Sequence, residues 1–111
     1  MRYLLLLALA ASPASAQECV SASDDVIVPS FISLARKCVI EEQVPKLVKS
    51  GETADLVAIA AVANCKDWLI ALRNSMAGCE RAKTISAIDT EVRKRLRDDA
   101  IAAAINLRAK R

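Results

Sequence analysis

Four cysteines set the first limits on what this chain can do. They are Cys19, Cys38, Cys65 and Cys79, with 18, 26 and 13 residues between successive positions. Zinc sites use close pairs such as C-x2-C, and a redox-active dithiol needs C-x-x-C; neither spacing occurs here. The chain also has no histidine to complete a mixed metal site. The pattern therefore predicts two disulfides and no metal or other cofactor.

Carboxylates are the groups left for acid–base chemistry, since histidine is absent and the only tyrosine is Tyr3. They occur as the adjacent pairs Asp24-Asp25, Glu41-Glu42 and Asp98-Asp99. Neighbouring residues point in different directions on a helix, so such pairs do not converge as a catalytic dyad. The only two glycines, Gly51 and Gly78, exclude a glycine-rich phosphate loop. No catalytic residue is assigned, and we expect a protein that is not an enzyme.

The C-terminal part of the chain is basic, with nine Lys and Arg against five Asp and Glu in residues 80–111. Asp89 and Glu91 stand four residues before Arg93 and Arg95, a spacing that forms ion pairs on a solvated helix face. The alternative is a surface for an acidic partner or, less favoured, for membrane headgroups. The residues assigned to that surface are Arg93, Arg97, Arg108, Lys110 and Arg111. Nucleic acid is not expected as a partner, because only two aromatic residues lie after residue 16.

The N-terminus has the three regions of a secretory signal peptide. Residues 1–16 (MRYLLLLALAASPASA) contain a basic residue, Arg2, then a short apolar run and a cleavage site with small residues. The run is too short to span a membrane, which takes roughly 20 residues. Glu18 stands where a lipid-modified Cys19 would need a small neighbour. We expect a cleaved leader and a mature chain of residues 17–111 that is periplasmic or secreted.

Helical periodicity divides the mature chain into three segments near residues 30–49, 54–77 and 85–108, without strand-like alternation. Pro45 should kink the first helix or end it near residue 43. Gly51 suits a left-handed cap that closes this segment. The fold class is therefore all-α.

The apolar stripes of the second and third helices predict the core. The second comprises Val57, Ala61, Cys65, Trp68, Leu72 and Met76, and the third Ile85, Ile88, Val92, Leu96, Ala100, Ala103 and Leu107, widened by Ile101 and Ile105. Trp68 is thus expected in the core. Whether the second helix continues past Asn64 stays open, and Ser86 with Asp89 resembles a capping box at the start of the third.

Helix geometry selects one disulfide pairing. Cys65 and Cys79 would lie about 21 Å apart on one helix, whereas a bridge needs Cα atoms roughly 4.4–6.8 Å apart. In an antiparallel hairpin that turns near residues 50–53, Cys38 faces Cys65, and Cys79 faces the chain near Cys19. The predicted bridges are Cys38–Cys65 and Cys19–Cys79.

Together these features predict a small three-helix bundle: a disulfide-stapled antiparallel helical hairpin plus a third long helix. The function they favour is that of a non-catalytic exported binding protein, of the inhibitor, immunity or chaperone-accessory kind, whose partner is another protein. The alternative is a carrier that holds a small apolar ligand in a cavity of the bundle. The oligomeric state is left open.

Overall fold

The computed structural model describes residues 19–110, and every helix and turn in them belongs to an all-α arrangement without strands. The elements are α1 (Ile27–Arg36), a π-helical segment (Lys37–Gln43), α2 (Val44–Leu47), a 3-10 turn (Val48–Ser50), α3 (Ala54–Asn64), α4 (Lys66–Met76) and α5 (Ala82–Ala109). The expected leader at residues 1–16 and Arg111 lie outside the described residues. Within residues 19–110, no helix is both long and apolar enough to cross a membrane.

These elements form three helical rods, which confirms the predicted bundle. The first rod runs from α1 through the 3-10 turn, α3 and α4 return alongside it, and α5 packs mainly on α3. Gly51, with φ of 81°, makes the predicted left-handed turn between the first two rods. At the same end of the bundle, Arg108 Nη2 of α5 donates to the carbonyl oxygen of Val48 at 3.2 Å. The long helix therefore spans the bundle from its open end back to the hairpin turn.

Two disulfides staple the hairpin, in the pairs that the antiparallel register predicts. Cys38 bonds to Cys65 in the body of the hairpin, with Cα atoms 6.0 Å apart. Cys19 bonds to Cys79 at the open end, with Cα atoms 5.5 Å apart. Gly78, beside the second bridge, has φ of 95°, which a residue with a Cβ atom rarely adopts. One bridge therefore joins the two rods in the middle of the hairpin, and the other closes the hairpin at its open end, or mouth.

The segment before α1 is held against the mouth by hydrogen bonds as well as by the disulfide. The N–H of Val20 donates to the carbonyl oxygen of Ser75 at 2.6 Å, and the side chain of Val20 is buried. The N–H of Ala22 donates to Glu80 Oε2, also at 2.6 Å. These contacts tie the start of the described chain to the end of α4 and to the turn that follows it.

α1 begins at Ile27, three residues before the predicted start at residue 30. Asp24 Oδ1 accepts the N–H groups of Ile27 at 2.7 Å and Val26 at 2.9 Å, which would otherwise lack partners at a helix start. The hydrogen bond from Ile27, followed by that from Val26, lowers the pKa of the Asp24 carboxyl from its ordinary value. These hydrogen bonds support a helix that begins three residues before its predicted start.

Pro45 does not end the first rod. The chain instead widens into the π-helical segment, and the N–H of Val44 donates to the carbonyl oxygen of Val39, five residues back. A proline ring in a regular α-helix clashes with the carbonyl four residues before it and removes one hydrogen bond. A wider turn ahead of Pro45 gives that ring room, so the rod continues through α2.

The second rod is not one continuous helix, because the helical geometry breaks at Cys65. Cys65 lies between α3 and α4 with φ of −107° and ψ of 18°. At the other end of α3, Thr53 Oγ1 accepts the N–H of Leu56 at 3.4 Å, so the predicted start of this helix near Thr53 agrees with the structure.

The prediction that Trp68 lies in the core is wrong. Trp68 is 38% exposed, whereas its neighbour Leu69 is 1% exposed. Leu69 follows Cys65 by four residues and precedes Leu72 by three, so it continues the spacing that keeps one helix face inward. Trp68 lies at the border of that face. Ile105, expected to widen the stripe of α5, is likewise exposed.

α5 begins at Ala82, three residues earlier than the predicted residue 85. Ser86 therefore lies inside the helix, and its carbonyl oxygen accepts a hydrogen bond from Thr90 Oγ1 at 2.9 Å. The expected capping box of Ser86 and Asp89 does not form, because Ser86 is not the N-cap residue of this helix; Asp89 instead pairs with Arg93 one turn further on.

The core of the described chain is built from small and branched apolar side chains, with no buried polar or charged residue. One cluster fills the hairpin body and includes Val39, Val44, Val57, Ala61, Leu69, Leu96 and Ala100. A second fills the open end and comprises Val20, Val28, Leu72, Met76 and Ile85. Alanines that are fully buried on all three rods allow the helices to approach closely.

Candidate functional site

α3 is apolar on every side, which is unusual for a helix at a protein surface. In its sequence ADLVAIAAVAN the only charged residue is Asp55. One face is buried in the bundle and consists of Val57, Ala58, Ala61 and Val62. The opposite face carries Leu56, 50% exposed, and Ile59, 52% exposed. A helix that is hydrophobic all round is normally covered all round, so this outer face lacks a cover among residues 19–110.

α5 places three cations beside this outer face. Arg93, Lys94 and Arg97 lie within about one helical turn of one another, because residues three and four apart are neighbours on a helix surface. Lys94 and Arg97 are exposed, and Arg93 is partly exposed. The basic side of α5 and the apolar side of α3 therefore adjoin.

Between the two helices runs an open groove with a volume of about 490 Å³. It is lined by Ile59, Val62 and Ala63 from α3 and by Thr90, Arg93, Lys94 and Arg97 from α5. We call this the α3–α5 groove. Its α3 side is apolar, and its α5 side is basic. An apolar surface with negative charge along one edge would complement this arrangement in shape and charge.

The positive charge of the groove is only partly compensated. Arg93 Nε lies 3.0 Å from Asp89 Oδ2, and the Asp89 side chain is 14% exposed. Asp89 Oδ1 is buried and has no hydrogen-bond partner among the described residues. Lys94 and Arg97 form no ion pair within residues 19–110. Asp89 therefore orients Arg93, while two further cations face solvent.

A second open groove lies on the other side of α5, against α1, and its charges are balanced. Its volume is about 400 Å³, and its charged lining residues are Arg36, Glu91, Arg95 and Asp99. Arg36 pairs with Asp99 at 3.3 Å, and Arg95 pairs with Glu91 at 3.0 Å. These four charges form two ion pairs within the chain, so this groove offers no unpaired charge to a partner.

The structure divides the basic surface predicted from sequence. Arg93 and Arg97 both line the α3–α5 groove. Arg108 lies about 16 Å further along α5 than Arg97, and its guanidinium binds the hairpin turn. Lys110 is exposed beyond the end of α5, and Arg111 lies outside the described residues. Two of the five predicted residues therefore share one site.

Lys94 and Ile59 are members of the groove that the sequence prediction missed. Asp98 follows Lys94 by four residues, a spacing at which opposite charges on a helix can pair, but the two side chains form no ion pair. The signal for Ile59 is the all-apolar composition of α3. This composition can be read from the sequence. Which face of α3 stays uncovered, however, depends on how the three rods pack.

Comparison with protein-family models, curated proteins and solved structures finds no match to this chain.

Proposed function

We propose that this protein is an exported, non-catalytic binding protein that holds a protein partner in the α3–α5 groove. The observation that carries the proposal is the exposed apolar face of α3 beside the uncompensated cations of α5. Exposed apolar surface is the main source of binding free energy, and charges at its rim select the partner and speed association. The proposed role is of the inhibitor, immunity or chaperone-accessory kind.

Export is supported by the leader-like residues 1–16 and by the two disulfides. Disulfides persist in the periplasm and outside the cell, and are rare where thiols are kept reduced. We propose the periplasm or the extracellular medium as the location of the protein.

A non-catalytic role is supported by the chemistry of the groove. Its polar lining groups are Thr90, Arg93, Lys94 and Arg97, a set without a paired nucleophile and base. Thr90 Oγ1 donates its hydrogen bond within α5. The arrangement suits recognition rather than proton transfer.

The carrier alternative has weaker support. Small-molecule sites usually enclose most of the surface of their ligand. The α3–α5 groove, the groove along α1 and a wide depression at the disulfide Cys19–Cys79 are all open to solvent. None of these three provides the enclosure that a carried apolar molecule needs.

Charge reversal in the groove tests the proposal. Tagged protein is incubated with periplasmic and extracellular extracts, and captured proteins are quantified by mass spectrometry. The variant Lys94→Glu/Arg97→Glu should capture about tenfold less of a specific partner than the wild type, because two attractive rim charges become repulsive. Both side chains are exposed, so circular dichroism should show an unchanged fold.

The matched control is Lys66→Glu/Lys83→Glu, which makes the same change of net charge at two exposed positions outside the groove. It should capture the partner as well as the wild type does. Equal loss in both variants, or no partner that depends on the groove, would contradict the proposal. A small molecule that copurifies with the wild type in place of a protein would favour the carrier.

A further inference from the structure

We infer that the partner segment in the α3–α5 groove is an amphipathic helix with carboxylates along one edge. This inference rests on the proposed function and specifies the chemistry of the partner. Three features of the groove lead to it: its walls, the spacing of its apolar residues and the one-sided position of its charges.

The walls of the groove are two antiparallel helices, and this geometry suits a third helix. The side chains on the outer face of α3 are the exposed Leu56, Ile59 and Ala63 and the half-buried Ala60, spaced at i, i+3, i+7 and i+4. This spacing forms the ridge that a neighbouring helix packs against. A helix laid along the groove would convert the three-rod bundle into a four-helix arrangement and cover the outer face of α3.

The cations lie on one wall only, so the partner helix needs acids on one edge only. Lys94 and Arg97, the two groove cations without an ion pair among residues 19–110, are three residues apart on α5, about 4.5 Å along its axis. Arg97 is also about 6 Å from Arg93 along that axis, so two carboxylates three or four residues apart on a roughly parallel or antiparallel helix can reach these cations. The side of the partner that faces α3 must be apolar, because Ile59, Val62 and Ala63 line that wall.

A second copy of the chain fits this charge pattern less well. It would bring its own Arg93, Lys94 and Arg97 to the interface, and like charges oppose association. A membrane also fits less well, because helices that lie in a membrane surface carry a broad apolar face rich in Trp, Phe or Leu, whereas the only large side chains exposed on this side of α3 are Leu56 and Ile59. An acidic helix meets both the shape and the charge of the site.

The test uses three labelled peptides of about four helical turns. The acidic peptide has leucine and alanine on one face and two glutamates four residues apart on the edge of that face. In the lysine peptide both glutamates are replaced by lysine. In the displaced peptide the glutamates are moved to the opposite face at the same composition. Fluorescence anisotropy gives the Kd of each peptide for the wild type, for Lys94→Glu/Arg97→Glu and for the control Lys66→Glu/Lys83→Glu.

The acidic peptide should bind the wild type and the control equally, and Lys94→Glu/Arg97→Glu about tenfold more weakly. The displaced peptide should bind the wild type more weakly than the acidic peptide does. The lysine peptide should show the reverse preference and bind Lys94→Glu/Arg97→Glu better than the wild type. Affinity for the acidic peptide should fall as salt concentration rises, because the rim charges are screened.

Equal affinity of the acidic peptide for all three proteins, or no binding at about 100 μM protein, a level well above the Kd of a typical specific interface, would overturn the inference. So would self-association that the same charge reversal abolishes, measured by light scattering. Binding to phosphatidylglycerol vesicles without binding to the acidic peptide would also overturn it. If a natural partner is lost on charge reversal but the acidic peptide does not compete for it, the inference fails and the proposed function stands.

Discussion

Replacing both Cys38 and Cys65 by alanine is expected to lower the free energy of unfolding by about 3–4 kcal/mol. The bridge closes a loop with a sequence separation of 27 and joins the first two rods in the body of the hairpin. Most of this effect comes from the greater conformational freedom of the unfolded chain without the crosslink. Small domains are stable by only about 5–15 kcal/mol, so the loss is a large fraction of the total. Urea unfolding followed by circular dichroism measures it.

The control for this variant is Lys37→Ala/Lys66→Ala, which changes the exposed neighbours of the two cysteines. Each of these two substitutions should change the free energy of unfolding by less than about 0.5 kcal/mol. A loss below about 1 kcal/mol for the cysteine variant would contradict the account, since it would mean that helix packing holds the hairpin without the bridge.

Leu96→Ala should cost about 2–5 kcal/mol of stability, an effect as large as that of the disulfide. Leu96 is 2% exposed and lies in the core cluster where α5 meets the hairpin. The substitution removes buried apolar area and leaves a cavity that the neighbouring side chains fill only in part. The same urea experiment measures the change, and the slope of the transition should stay that of the wild type.

Ile105→Ala is the matched control on the same helix. Ile105 is 55% exposed, so its truncation should change stability by less than about 1 kcal/mol, and alanine favours the helix slightly. Equal losses for the two variants would show that α5 does not pack as the structure describes.

The disulfide pairing and the order of the rods follow from local rules. Helix rise separates Cys65 from Cys79, and the hairpin turn at Gly51 sets the register that brings Cys38 opposite Cys65. Such predictions need only the positions of the turns and the length of the helices. This is why the sequence alone predicts how the domain is stapled.

The features that the sequence did not predict are those for which two local arrangements of the chain have similar free energies. Trp68 and Leu69 are adjacent and both apolar, and packing of α4 against α1 decides which of them turns inward. The early start of α1 depends on hydrogen bonds to the Asp24 carboxylate, and the continuation of the first rod through Pro45 depends on a wide helical turn.

The α3–α5 groove is likewise a tertiary feature. Arg93 and Arg97 were identified as basic surface from their positions on α5, but their apolar neighbour Ile59 is more than 30 positions away in the chain. Only the packing of α3 on α5 brings the two kinds of residue together. Sequence patterns therefore indicated the charge of the site and not its shape.

Site-specific photo-crosslinking tests whether the partner contacts Ile59 in the α3–α5 groove. A benzoylphenylalanine replaces Ile59 in the groove or, as the control, Ile70, which is 41% exposed on α4 and does not line the groove. After irradiation with the exported proteins, we expect a covalent adduct with a specific partner from position 59 and none from position 70. An adduct from position 70 and none from position 59, or equal adducts from both, would contradict binding in the α3–α5 groove.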